Sequence, residues 1–409
     1  MNVLYHHRTR GQEVEGVHIR GIVNGLRQLG HRVDIVSPPG VEVDHGPTAV
    51  AANDPPKANG TPEANGVPKK SAWSLLSRNA PELMFEGAEL AYNAYAWPAI
   101  ESQMVRRRYQ LLYERYALFT VAGVMAARAH RVPLILEVND SAVVNRIRPL
   151  KMRAAARRVE RYVWNRADAI VTITSYFRDL IIEAGVPEER VHVIANAVDE
   201  NAFASAEDGS ARTRLGLDGK VVIGYVGAMN HWRRLDLLIE AFAALSHKHP
   251  SAHLLLIGEG PDRAEIADRA RSLGLESRVT FTGRVAHREI PSHLAALDVA
   301  VIPHSNAYGS PMKLFEYMAA GKATLAPWLP PIVSVIGYDD GGLLFAPLDG
   351  KSMERALDRV LSEPAWRVQL GVRAREKALS EYVWNRHAQT IMELFSKIDA
   401  TALKRREAR

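Results

Sequence analysis

Short apolar runs, each closed by a glycine, a proline or a polar loop and followed by a helical pattern, recur along almost the whole chain. A sequence patterned in this way folds as alternating strands and helices around buried parallel sheets. Residues 1–5 form the first run and 33–37 the second. Between them Val17, Ile19, Ile22, Val23, Leu26 and Leu29 line one helix face, and Gly30-His31 stops that helix. Further strands are expected at 133–138, 169–174 and 191–194, with helices at 121–129 and 176–184. A second series opens at 220–227 and continues through 253–257, 279–284 and 297–303. Two Rossmann-like halves follow, and in such sheets ligands sit outside the carboxyl ends of the strands. A helix is expected at 352–361, stopping before Pro364, and a last amphipathic helix from Tyr382 through Phe395.

At 409 residues the chain exceeds the size at which one core stops growing, so two domains of roughly 200 residues each are expected. Hydrophobic residues make up 47% and charged residues 24%, enough apolar surface for both cores. Cysteine is absent, which excludes disulfides, thiolate metal sites and cysteine nucleophiles. The first residues lack the apolar core of a signal peptide, and no apolar stretch is long enough to span a bilayer, so a soluble cytoplasmic protein is expected. The net charge of +6 is concentrated in Arg146, Arg148, Lys151, Arg153, Arg157, Arg158, Arg161 and Arg166, with a second cluster at Lys404, Arg405, Arg406 and Arg409. No zinc-finger spacing, aromatic RNA-binding motif or helix-turn-helix accompanies them, which argues against nucleic acid. Two readings remain for the first cluster, a solvated helix face and a peripheral contact with an anionic membrane at its inner face.

Residues 41–71 turn to Pro, Ala, Asn and Gly, with the near-repeat ANGTPEANGVP, and read as a flexible insertion. The segment 83–113 is aromatic-rich and helical in pattern; Phe85, Tyr92, Tyr95 and Trp97 either line an acceptor site or pack the helix on the sheet. The polar loop 6–16 between the first strand and helix forms a wall of the expected cleft.

Two later segments carry the chemistry. Residues 297–303 form a strand that runs into the loop 305–310. Pro311 then suits a first helical turn with Ser310 as N-cap, and the helix ends at Gly321. A strand, a loop and a helix N-terminus make an anion site: free amides and the positive end of the helix dipole favour a diphosphate near Gly309, Ser310 and Met312. Glu316, farther along this helix, is placed to accept hydrogen bonds from ribose hydroxyls, and Lys313 lies between. In 227–241, Arg233 stands at a loop–helix boundary, where a guanidinium holds two phosphate oxygens at once. Taken singly, each of these residues reads equally as a surface charge.

Together the segments SPMKLFEYMAAGKATLA (310–326), GAMNHWRRLDLLIEA (227–241) and ANAVD (195–199) resemble family-4 glycosyltransferases, a resemblance that covers nearly the whole chain outside 41–71. It implies an α/β GT-B fold, two Rossmann-like doubly wound domains facing across a cleft. The acceptor domain would be 1–200 and the nucleotide-sugar domain 215–380. The helix 381–397 would cross back to the first domain, followed by a basic tail at 398–409. The implied reaction moves a glycosyl unit from a nucleoside-diphosphate sugar to an acceptor hydroxyl with retention of configuration and without a metal or other cofactor.

The resemblance also assigns residues. It puts Glu316 on the donor and Arg233 where the family has a lysine on the diphosphate, whereas Ala228 replaces an arginine; Lys313 supplies that missing charge. Two glutamates stand eight positions apart in the family, and the first falls here on Tyr308. The loop Gly258-Glu259-Gly260-Pro261 resembles the family's nucleotide-facing turn, with Arg284 closing the next strand and Gly11 left to represent the glycine-rich first loop. A sugar-contacting histidine of several relatives falls on Asn139. Asp140 beside it is either a base or a helix N-cap, and Gln12 and His18 complete the acceptor side, with His7 and His231 as further histidines. The acceptor is a sugar, a lipid-linked sugar or a small molecule. The alternative from another class is a non-catalytic nucleotide-sugar-binding protein on the same fold, suggested by Ala228, Tyr308 and Asn139.

Overall fold

The computed structural model describes residues 1–9, 14–41, 81–144, 149–204, 210–338 and 340–407. All of the insertion at 41–71 except Val41, together with Gly11, Gln12, Arg146, Arg148 and Arg409, therefore lies outside the described residues. The chain divides into two units: Met1–Thr172 with Leu180–His192 and Ala388–Arg409, and Ile173–Asp179 with Val193–His387.

The chain first alternates β1 (Asn2–His6), α1 (Val14–Gln28), β2 (Arg32–Val36), α2 (Glu82–Arg106), β3 (Leu111–Arg115), α3 (Ala122–His130), β4 (Leu134–Val138), α4 (Arg153–Trp164), β5 (Ala169–Thr172), α5 (Ser175–Glu183) and β6 (Val191–Val193). These strands form one sheet in the order β2-β1-β3-β4-β5-β6. β1 runs parallel to β2 and β3, β3 to β4, and β4 to β5. Helices cover both faces of such a sheet, so Val3, Leu4 and Tyr5 are all 0% exposed, whichever way they point. Ile19, Ile22, Val23 and Leu26 form the buried stripe of α1, spaced as a helix face requires.

After α6 (Glu200–Ala204) and α7 (Ser210–Arg214), the second series is β7 (Val221–Val226), α8 (Leu235–Leu245), β8 (Ala252–Ile257), α9 (Arg263–Ser272), β9 (Val279–Gly283), α10 (Ile290–Ala295), β10 (Val299–Val301), α11 (Met312–Ala319), β11 (Ala323–Pro327), α12 (Pro330–Ile336) and β12 (Leu343–Phe345). These six strands are all parallel, in the order β12-β11-β10-β7-β8-β9. Ile223 and Tyr225 face one core with Leu238 and Phe242 of α8; Val222 and Val226 face another with Leu314, Phe315 and Met318 of α11. α13 (Gly350–Ser362), α14 (Pro364–Glu381) and α15 (Trp384–Glu407) end the chain.

Several expectations need correction. The helix expected over 83–113 stops at Arg106, and Leu111–Arg115 is strand β3, the sheet partner of both β1 and β4. Helix α14 had no sequence signal. Its buried residues are Leu370, Gly371, Ala374 and Ala378, mostly too small to make an apolar stripe, because the helix packs by backbone approach: a Cβ on Gly371 would lie 2.1 Å from the Gly321 carbonyl oxygen. The last helix continues to Glu407, through the stretch read as a tail.

Candidate functional site

The order of the second sheet reverses direction between β7 and β10, and outside their carboxyl ends lies the crevice that doubly wound sheets offer to ligands. β7 leaves the sheet at Gly227, whose φ of +139° no L-residue adopts comfortably. Gly258 follows β8 with φ +134°, and a Cβ there would lie 2.1 Å from the Gly227 carbonyl oxygen; on Gly260 it would lie 2.0 Å from that of Met229. The turns after β7 and β8 therefore lie backbone against backbone, joined by Met229 N–H to Glu259 O at 3.0 Å and Asp262 N–H to Met229 O at 3.2 Å.

On this floor the chain places its cations. The turn His231–Arg233 ends at Arg234, in left-handed conformation, which turns its guanidinium onto Asp236 at 2.8 Å. Arg233 behaves differently. Its guanidinium stacks 3.7 Å from the centre of the Trp232 ring, and its buried Nε has no hydrogen-bond acceptor. Burial lowers its pKa from the usual arginine value. Of two adjacent arginines, Arg234 is paired with Asp236, whereas the buried Nε of Arg233 meets no acceptor.

α11 supplies the other charges. Ser310 is not its N-cap: the capping position is Pro311, without a side-chain bond, and the helix starts at Met312. The Ser310 hydroxyl instead accepts the Asn196 N–H at 3.4 Å, and its carbonyl accepts the Asn196 side-chain amide at 2.6 Å. Asn196, in the stretch preceding α6, thus fixes the loop before α11, a contact between segments far apart in sequence. Met312 and Lys313 are buried in the first turn. Glu316, partly buried, has its pKa raised by burial, against the pull of His287 and Lys313. Tyr317 accepts the Val226 N–H through its hydroxyl at 2.8 Å and so ties α11 to β7, while Tyr225 donates to Ala228 O at 2.8 Å and braces the turn after β7; neither tyrosine was singled out from the sequence.

Other expected donor residues are placed as follows. The Tyr308 ring packs against Tyr176 and Phe177 at 5.7 and 6.1 Å between centres, and its carbonyl accepts from the Thr174 hydroxyl at 3.0 Å. Gly309 passes so close to Asn306 that a Cβ would lie 2.4 Å from Oδ1. Arg284 is exposed just after β9, and His231 is exposed in its turn.

In the first unit the strand order reverses between β1 and β3, and there the chain buries a network of charges. Glu137, 1% exposed, is its centre: His18 Nε2 lies 3.0 Å from Oε1, the Asn139 amide donates to Oε1 at 2.9 Å, the Tyr113 hydroxyl donates to Oε2 at 3.1 Å, and Arg115 pairs with Oε1. Asn139 and His18, two residues expected on the acceptor side, thus share one carboxylate. Asp140 is not a helix N-cap, since a turn follows it and its carboxylate accepts the Ser141 N–H at 2.8 Å. His7 is 0% exposed and held neutral by burial, its pKa lowered to about 3, with Nδ1 accepting the Thr9 N–H. The signal for this network was present in the sequence: an acid, Glu137, inside the otherwise apolar strand run LILEV. Among the described residues no group of three or more acids and histidines is arranged to hold a metal.

Two family models match the chain, glycosyl transferases group 1 over residues 210–377 and a glycosyl transferase 4-like domain over residues 15–197. The 2-deoxystreptamine glucosyltransferase of Streptomyces kanamyceticus is 32% identical over 260 residues, 60% of this chain and 65% of its own. The mannosylfructose-phosphate synthase of Agrobacterium fabrum is 29% identical over 248 residues, 58% of this chain and 54% of its own. The matches thus span a little under two thirds and about half of these relatives. Among solved structures, HepE of Anabaena in complex with UDP superposes with a TM-score of 0.68 over 97% of this chain and 100% of its own, at 18% identity.

Proposed function

Because the chain belongs to the family-4 glycosyltransferases and has their two-unit GT-B architecture, we propose that it moves a glycosyl unit from a nucleoside-diphosphate sugar to an acceptor hydroxyl, with retention of configuration. The observation that carries this reading is Arg233, a half-buried side chain whose buried Nε has no acceptor, at the carboxyl edge of the β7–β10 crevice beside the glycine turns that follow β7 and β8. Cleavage of the glycosidic C–O bond leaves negative charge on the departing diphosphate. A cation already fixed there by stacking on Trp232 stabilises that charge more in the transition state than in the ground state. The uncapped first turn of α11 adds oriented amides to the same end. Glu316 then accepts hydrogen bonds from the donor's hydroxyls, and in this mechanism no metal is called on.

The acceptor side is the network around Glu137, where Asn139 and His18 are held ready to bond a sugar, lipid-linked or small-molecule hydroxyl, in glycan, glycolipid or natural-product synthesis. Among the described residues no helix is long and apolar enough to cross a membrane. A peripheral contact is supported by α4, which presents Arg153, Arg157, Arg158 and Arg161 on an exposed face with Tyr162. Replacing the last three arginines by glutamate is expected to abolish co-sedimentation with phosphatidylglycerol vesicles; unchanged co-sedimentation refutes the contact.

The test is a thermal-shift series with UDP, GDP, ADP and dTDP and their sugars, followed by transfer assays. One base series should stabilise the wild type, and Arg233→Ala and Glu316→Ala should lose that shift while unfolding at the unliganded wild-type temperature. Turnover should fall about a hundredfold or more in Arg233→Ala. Tight binding without release of nucleoside diphosphate under any acceptor would return the non-catalytic alternative.

A further inference from the structure

The first unit gathers charge in a second place, away from the Glu137 network. A cavity of about 570 Å³ runs along the outer edge of β2 and is bordered by the last turns of α1 and α2. Its size falls within the roughly 300–1,000 Å³ typical of cavities that hold small molecules. Arg27, Arg32, Arg106 and Arg107 line it against one carboxylate, that of Asp34. Arg27 stands in the last turn of α1, Arg32 opens β2, Arg106 stands in the last turn of α2 and Arg107 follows it. All four thus lie toward the amino ends of the strands, whereas Asn139 and the Glu137 network lie at the carboxyl end of β4.

The folded chain answers only part of this charge. Arg27 donates to the Val33 carbonyl at 3.0 Å, a bond that also guards the open edge of β2 against an added strand. Arg32 and Arg107 each approach Asp34 at 3.5 Å, and the Tyr109 hydroxyl donates to the same carboxylate at 2.8 Å. Arg106 forms no ion pair among the described residues. The negative ends of the helix dipoles favour a cation in each last turn, which accounts for Arg27 and Arg106 but not for Arg32 beside them. Four arginines less one aspartate leave three positive charges in excess on one concave wall, which focuses potential into the cavity.

We propose that this cavity binds a small phosphate-bearing molecule, of the class of sugar or polyol phosphates with two or more negative charges. Guanidinium forks match phosphate oxygens two at a time. Gln103 lines the same cavity; its side-chain oxygen accepts the Tyr109 hydroxyl at 3.3 Å, and its amide keeps two N–H donors for a sugar hydroxyl. The ligand is neither glycosyl donor nor acceptor, because the site lies at the end of the sheet away from the strand reversal where doubly wound folds take their substrates.

Calorimetric titration with inorganic phosphate, glucose 6-phosphate and fructose 1,6-bisphosphate tests this. Wild type should bind the bisphosphate once per chain and more tightly than inorganic phosphate. Arg32→Ser/Arg106→Ser, at two exposed side chains, should weaken that binding about tenfold or more with an unchanged Tm. Asp34→Asn should strengthen it about threefold by removing the one opposing charge, an effect opposite in sign to that of lost structure. Arg233→Ala should bind it as wild type does. Failure of wild type to bind any of the three probes overturns the proposal, as does equal affinity in wild type and the folded double variant. Loss of binding in Arg233→Ala also overturns it, by moving the anion to the donor crevice. If the double variant fails to fold, Asp34→Asn decides alone, and an affinity no higher than that of wild type overturns the proposal. Co-sedimentation with phosphatidylglycerol vesicles that needs Arg32 and Arg106, without binding of the soluble probes, would overturn it in favour of a membrane contact.

Discussion

At the scale of single residues, Gly30 after α1 and Gly258 in the crevice separate two reasons for having no side chain. Gly30 has a φ of +80° but open space around its missing Cβ, so Gly30→Ala pays only for backbone conformation, about 1–2 kcal/mol. Gly258 has φ +134° and in addition the Gly227 carbonyl 2.1 Å from where a Cβ would stand. Gly258→Ala must therefore part the two turns, and urea denaturation is expected to show a loss exceeding that of Gly30→Ala by about 2 kcal/mol or more. Equal midpoints for the two variants would mean that the turns separate freely. The arginine pair makes the complementary point about charge: removing Arg234 costs the half-exposed Asp236 ion pair, worth about 1 kcal/mol or less, while removing Arg233, on the proposed reading, is expected to weaken donor binding rather than the fold.

At the scale of elements, α4 is held at both ends by buried acids. The Glu86 carboxylate from α2 accepts the N–H groups of Lys151 and Met152 at 2.5 and 2.6 Å, fixing the chain just before a helix whose N-cap position makes no side-chain bond. Glu160 on α4 accepts from the Ser141 hydroxyl, the Ala142 N–H and the Tyr116 hydroxyl, tying the helix to the loop after β4. Burial raises its pKa to about 7 despite these bonds. The unfolded chain gives up this proton near pH 4 to 5 while the folded chain keeps it to about 7, so in that window unfolding releases a proton and stability falls as pH rises. Glu160→Gln should flatten this slope in denaturation curves taken from pH 4.5 to 7; an unchanged slope would show that Glu160 ionises freely in the folded chain. Glu86→Ala should raise amide hydrogen exchange across the first turn of α4, at a cost of about 1–3 kcal/mol.

At the scale of the whole molecule, residues 45–70 lie outside the described residues and read from their composition as an insertion. Deleting them is expected to change nucleoside-diphosphate affinity by less than about twofold, and a larger loss in calorimetry would make the segment part of the site. The alternation of strand and helix, the order of most elements and the segments that carry Arg233, Lys313 and Glu316 were legible in the sequence, because periodicity, glycine stops and apolar runs are local properties. What neighbours what was not. The strand order sets β7 beside β10 and brings the Gly227 turn against Lys313; the same kind of long-range pairing gathers His18, Tyr113, Arg115 and Asn139 on Glu137 and gives Ser310 to Asn196. Ile173–Asp179 joins the second unit although its flanks belong to the first, with Tyr176 and Phe177 packed on Tyr308. A buried charge takes its partner from whichever segment the sheet order places beside it, so the sequence determined which elements form and which residues they carry, and only the tertiary structure decided which charges are satisfied and which are left for a ligand.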